Sequence, residues 1–200
     1  MQQYYYTVAS LPAIRFEEAP FLDQEAFLDI CRIESSPQDL AVISAARIFP
    51  EREDEEGTET QTEHAATPVP DQVSAVLGTW IQTVRDFQSQ AAQIRTQNLG
   101  WDAERIPRPA GLDASMAERT RAILNEETPL RMELALMRWL WQVAEDLESG
   151  HHFDREKLVV YHLKLQLAAR RARLSDSDSG GEELDRQYEI VAHSLMEIAT

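Results

Sequence analysis

Cysteine occurs once in the 200 residues, as Cys31. That excludes an internal disulfide framework and any CxxC metal or redox pair, and it points to a reducing compartment. Glycine is scarce, at 7, and the nine prolines sit mostly at segment edges. This poverty of turn residues favours helices over a turn-rich sandwich. Long apolar runs are missing, since nowhere do the roughly 18 consecutive apolar residues of a membrane span occur. The opening MQQYYYTVASLP has no basic region before an apolar one, so it does not read as a secretory signal. Positive charge is also in short supply. With 19 Lys and Arg against 35 Asp and Glu, the net charge is −16. A duplex nucleic acid has to be met by a basic surface, and an anionic lipid headgroup likewise, so neither is an expected partner. The bases are mostly arginine, 17 against two lysines. Arginine suits bidentate ion pairs, although genome composition explains the same bias.

What is present is enough for a core: 43% of the residues are hydrophobic, which argues against disorder throughout. The first block, residues 1–49, reads as an N-terminal helical segment. Tyr4, Tyr5, Tyr6 and Val8 fit a short strand or a helical turn equally well. Asp23 reads as the cap of a helix that carries Phe27, Ile30 and Cys31 on one face, with Leu22 and Phe27 as its hydrophobic staple. Ser36-Pro37 opens another helix, with Leu40 and Ile43 on a stripe.

Between residues 50 and 70 the periodicity stops. EREDEEGTETQTEHAATPVP holds seven acids, one Arg and no large aliphatic residue before Val69. It cannot bury enough apolar surface to offset its ordering entropy, so it reads as a flexible acidic linker. An acidic lure for a basic partner is the functional alternative.

Residues 71–200 read as the main helical bundle. Val73, Leu77, Trp80, Val84, Phe87, Ala91 and Ile94 recur every 3.5 residues, the seam of a long helix packed lengthwise on a neighbour. Gly100 fits its left-handed stop. Asp113 reads as the cap of a helix with Met116, Thr120 and Ile123. Thr128-Pro129 opens a mostly apolar helix that ends at Gly150. Asp154 caps a helix with two apolar stripes, one of Leu158, Tyr161, Leu165, Ala168 and Ala172, the other of Val160, Leu163, Leu167 and Leu174. A final helix is expected over 182–198. The expected fold is therefore all-α, an elongated bundle of six or seven helices with one long heptad-like member.

Enzyme motifs are lacking: there is no P-loop, GxGxxG, HExxH or GxSxG. Cys31 on an apolar helix face reads as core and not as a nucleophile. In His151-His152-Phe153-Asp154 adjacent histidines point apart and Asp154 is needed as a cap, so the loop reads as solvated. A metal-dependent hydrolase built on it is the least favoured reading. Asp176-Ser177-Asp178-Ser179-Gly180-Gly181 opens like a calcium loop but has Gly180 and Gln187 where ligands are required. No catalytic, cofactor-binding or metal residue is therefore assigned. Glu133 falls inside an apolar arc, where a lone carboxylate should be paired, protonated or at an exposed edge; a structural ion pair with Lys164 as the candidate partner is preferred to a proton-handling role or a contact on a partner. Arg170, Arg171 and Arg173 close their helix where the macrodipole favours cations. Beside the second apolar stripe they also suggest a docking edge made of Val160, Leu163, Leu167, Arg170, Arg171 and Arg173.

Three stretches carry a family resemblance: YYYTVASLP with Phe16, FLDIC at residues 27–31, and LRMELALMRWLWQ…FDREKLVVYHLKLQLAAR. They resemble a bacterial family without assigned activity whose members are encoded among the subunits of V-type (archaeal-type) ATP synthases. That family resembles a short, divergent form of the stalk-seating subunit, the part that fixes the central stalk to the membrane rotor ring. The resemblance implies a non-catalytic coupling component for proton or sodium transport, with central-stalk and rotor-ring subunits as partners and no cofactor. It implies a cytoplasmic chain, peripheral to the inner membrane through its complex. The long acidic insert and the Arg-rich LKLQLAARRAR run depart from the family's pattern. A cytosolic helical scaffold or assembly factor for a membrane-associated complex is the alternative.

Overall fold

The computed structural model describes residues 4–50, 74–100 and 114–174. Regular structure in them is helical throughout, in seven helices and no strand. These are α1 (Tyr5–Ser10), α2 (Gln24–Glu34), α3 (Pro37–Ala45), α4 (Ala75–Asn98), α5 (Ala114–Leu124) and α6 (Pro129–Glu148), with α7 over residues 155–174. The tyrosine-rich start, open between strand and helix from its residues, is helical. The Asp113 cap, the acidic stretch beyond Pro50, the calcium-like loop and the helix at 182–198 lie outside the described residues.

Local chemistry accounts for most boundaries. Side chains of Asp23, Ser36, Ser74 and Thr128 each accept from a backbone N–H three residues on, at 2.8, 3.1, 3.0 and 3.2 Å. Each satisfies one of the donors that a helix start leaves without an intrahelical partner. Pro37 and Pro129 follow two of these caps in the first turn, where a missing N–H costs nothing. Gly100 and Gly150 stand just beyond α4 and α6 with φ of 67° and 88°, the left-handed conformation that glycine adopts without a Cβ clash.

The seam of α4 is buried from Leu77 through Trp80, Val84, Phe87 and Ala91 to Ile94. Val73, the first residue of the expected seam, lies outside the described residues, and Ser74 caps the helix. Trp80 is fully buried, and its indole N–H donates 2.9 Å to the Arg47 carbonyl, so the large ring carries no unsatisfied donor. This bond also ties the start of α4 to the chain beyond α3. The helix packs on α5 and α6, and α5 on α6, while α1, α2 and α3 pack in sequence.

Helix α7 is the axis of the molecule. All eleven residues from Leu158 to Ala168 are buried, so it has no solvent face over three turns. Phe27 of α2 lies against Tyr161, with ring centroids 5.2 Å apart. The α3 side supplies the Ile43 carbonyl to His162 Nδ1 at 2.8 Å. Just beyond α3, the Ala46 carbonyl takes the Gln166 side-chain N–H at 2.7 Å. The loop after α1 contributes the Pro12 carbonyl, which accepts from the Tyr161 hydroxyl at 2.9 Å. Residues 4–49 thus share one core with α4, α5, α6 and α7.

Helices α6 and α7 run antiparallel. Glu133 near the start of α6 meets Arg170 near the end of α7 at 2.6 Å. At the other end Glu148, the last residue of α6, accepts from Lys157 in the first turn of α7.

Candidate functional site

The side chains expected to form a docking edge do not form one. Val160, Leu163 and Leu167 are fully buried in the common core. The second apolar stripe of α7 is covered by this chain's own elements, because α2, α3, α6 and the loop after α1 close round the helix. Arg170 donates through Nε to Glu133 at 2.7 Å and lies over the Phe49 ring at 5.3 Å. Arg171 donates to the Glu17 carbonyl at 2.7 Å. Both side chains are thus engaged within the fold. Arg173 is exposed and borders a shallow concavity with Pro20, Phe21 and Leu165.

Glu133 and Lys164 are both paired, but not with each other. The register set by Glu133 with Arg170 places Lys164 six residues away along α7, about 9 Å at 1.5 Å per residue. Lys164 instead reaches Glu148, 2.5 Å from Nζ to Oε2, with its ammonium 5.2 Å from the Trp141 ring centre. Lys157 donates to the other oxygen of the same carboxylate. Burial pushes the Glu148 carboxyl up, and the hydrogen bonds and charges of the two lysines outweigh it, leaving it below the ordinary carboxylate value.

A second polar cluster joins four elements at the start of α7. Arg155 donates to Asp39 of α3 at 3.1 Å and to the neighbouring Glu156 at 2.5 Å. The other Glu156 oxygen accepts from the Ser74 hydroxyl at 2.6 Å, the same Ser74 that caps α4. Tyr4, at the start of α1, donates its hydroxyl to Asp39. Burial raises the Asp39 carboxyl, but hydrogen bonds from Tyr4, Ser36 and Arg155 bring it below its usual range. Burial, reinforced by the Asp39 charge, drives the Tyr4 phenol up to about 12. No local pattern announces this cluster, since Asp39 and Arg155 are 116 residues apart. Only its Ser-x-x-N–H cap is visible in the sequence.

In the histidine loop, Asp154 accepts from the Lys157 backbone N–H at 3.0 Å, the capping role its position implies, and pairs with His151 Nδ1 at 2.7 Å. Phe153 stacks on Tyr5 with centroids 3.8 Å apart. His152 is exposed. Cys31 is buried in the core, and burial lifts its thiol to about 12. At that value the nucleophilic thiolate is all but absent near neutrality. Among the described residues no three His, Cys, Asp or Glu side chains gather in an arrangement able to hold a metal ion. No described helix is long and apolar enough to cross a membrane.

Compared with known proteins, the chain matches no family model, and neither the curated proteins nor the solved structures include a match to it.

Proposed function

We propose that this chain is a non-catalytic component of a bacterial V-type ATP synthase or ATPase that couples the central stalk to the membrane rotor ring. One observation carries the reading: the segments that bear the resemblance, 4–31 and 129–170, pack on each other although about a hundred residues separate them. The Tyr4 N–H donates to the Phe153 carbonyl at 2.6 Å, and Arg138 pairs with Glu17 at 2.6 Å. Phe16 packs against Trp141 with centroids 5.5 Å apart. A pattern shared with one family in two remote stretches makes physical sense when both build one unit.

The mechanics are consistent with this role. A coupling element must transmit torque with little internal yielding. Close-packed interiors have low compressibility and pass strain from one element to the next. Here α7 is held on every side, and ion pairs pin both of its ends. The partner contact belongs on a surface other than the second stripe of α7.

The test is detergent extraction of membranes followed by affinity purification on a tagged chain at native expression level. The expected result is the chain recovered with assembled rotor ring and stalk subunits at constant stoichiometry. Recovery only with incompletely assembled complexes would replace the proposal with an assembly factor. Recovery with neither would remove the link to this motor.

A further inference from the structure

The two lysines of the chain, Lys157 and Lys164, stand one heptad apart on α7 and converge on one carboxylate, Glu148. They line a cleft of about 370 Å³ with Glu148 and Tyr161 on one side and Val8, Leu11, Pro12, Ala13 and Ile14 on the other. Their side chains are only 26% and 11% exposed, and Glu148 is 24% exposed. Two positive charges are thus held against one negative charge in a partly desolvated site.

A count of donors sharpens the imbalance. An ammonium has three N–H donors and no acceptor. Lys157 gives one to Glu148, and Lys164 gives one to the other Glu148 oxygen and presents its charge to the Trp141 ring. Among the described residues the remaining donors have no acceptor. The opposite wall is apolar, and it is fixed in place because the Tyr161 hydroxyl donates to the Pro12 carbonyl within it. A preformed cleft with an apolar wall and a few convergent polar groups is the usual form of a small-molecule site.

From this juxtaposition we infer that the cleft binds an amphiphilic carboxylate, one carboxylate on a short apolar body, with the anion between Lys157 and Lys164 and the body against Val8, Leu11 and Ile14. The anion neutralises the surplus positive charge and accepts the unused N–H donors. The apolar body covers the wall. This inference does not depend on the proposed coupling role.

The chain has only two lysines, which makes the test direct. Biosynthetic incorporation of ¹³Cε-lysine into the full chain leaves each ammonium its three N–H donors and gives two lysine signals. Titration with sodium hexanoate is expected to move both lysine signals together and to saturate. Hexanol, and sodium chloride at matched ionic strength, are expected to leave them in place. Lys157→Met is expected to weaken hexanoate binding about tenfold, the loss of one charge-assisted hydrogen bond, read on the Lys164 signal. Absence of saturation, an equal response to hexanol or to inorganic phosphate, or unchanged affinity in Lys157→Met would each overturn the assignment. The lysines would then be no more than a cationic cap on the carbonyl end of α6.

Discussion

At the scale of single residues, His162 couples the fold to pH. Its Nδ1 faces a carbonyl, which can only accept, so Nδ1 carries the proton and Nε2 is the bare nitrogen. That nitrogen is buried and has no partner among the described residues. The Phe27 ring, 5.3 Å away, offers no hydrogen bond. Burial holds the imidazole below its ordinary value; the Ile43 carbonyl opposes this and the charge of Arg47 adds to it. The folded state therefore binds fewer protons than the unfolded state, where histidine titrates near ~6.5. His162 contributes its full stability above that pH and loses it as the pH falls, at up to about 1.4 kcal/mol per unit. Urea unfolding at pH 7.5 and 5.5 is expected to show this loss in the native sequence, and a smaller loss in His162→Gln, which keeps a donor for Ile43. Equal losses would assign the effect elsewhere. Asp39, Glu148 and Asp154 are depressed carboxyls, so their contributions are lost in a separate window, at pH values below about 4. Glu148→Gln removes the partner of two partly buried lysines. A loss of about 2 kcal/mol is expected by denaturant unfolding at pH 7, less than the ~3–5 for a fully buried pair because the site retains some solvent.

At the scale of elements, α4 and α7 yield to sequence reading to different extents. The α4 seam is plain because its apolar residues keep one period over five turns and its end carries a glycine stop. Trp80→Ala is expected to cost about 3–5 kcal/mol, and Trp80→Asp to prevent folding at ambient temperature, both checked by circular dichroism. In α7 the two apolar stripes are equally plain, yet their destinations are not. His162, Lys164 and Gln166 make the helix look amphipathic, whereas their partners are the Ile43 carbonyl, Glu148 and the Ala46 carbonyl, two of them supplied by chain far away in sequence. The Glu133 pairing differs from expectation for a related reason. A wheel shows which face a residue is on but not the offset between two antiparallel helices, and that offset chooses Arg170 over Lys164. Leu163→Asp separates the two accounts of the second stripe. It is expected to abolish the cooperative melting transition, because it buries a charge with no partner. A well-folded Leu163→Asp protein would return that stripe to the surface.

Over the whole molecule, stability is expected to be highest along the axis. Hydrogen exchange at residues 158–168 should proceed only through global unfolding, so that their protection equals the unfolding free energy from denaturant, whereas α1 and the Gly100 end of α4 exchange by local opening. Much lower protection in α7 than in α4 would contradict its place as the enclosed helix. The candidate site is the part least legible from residues alone. Its two lysines are visible as a composition bias, but their convergence on Glu148 requires the antiparallel pairing of α6 and α7. The cluster around Arg155 requires in addition the closure of α1 and α3 onto the start of α7.

The central position of α7 has a consequence for biosynthesis. Translation proceeds from the N-terminus, so α1 to α6 leave the ribosome before the segment they enclose. Each of them exposes an apolar face that nothing yet covers, and the Arg155–Asp39 bond, whose partners are 116 positions apart, closes among the last, as does the bond between Tyr4 and Phe153. Contacts of such long separation fold slowly and leave nascent chains prone to association. The newborn polypeptide therefore keeps apolar surface uncovered until residue 168 clears the exit tunnel, and ribosome-stalled chains that end before α7 are expected to be sensitive to protease throughout.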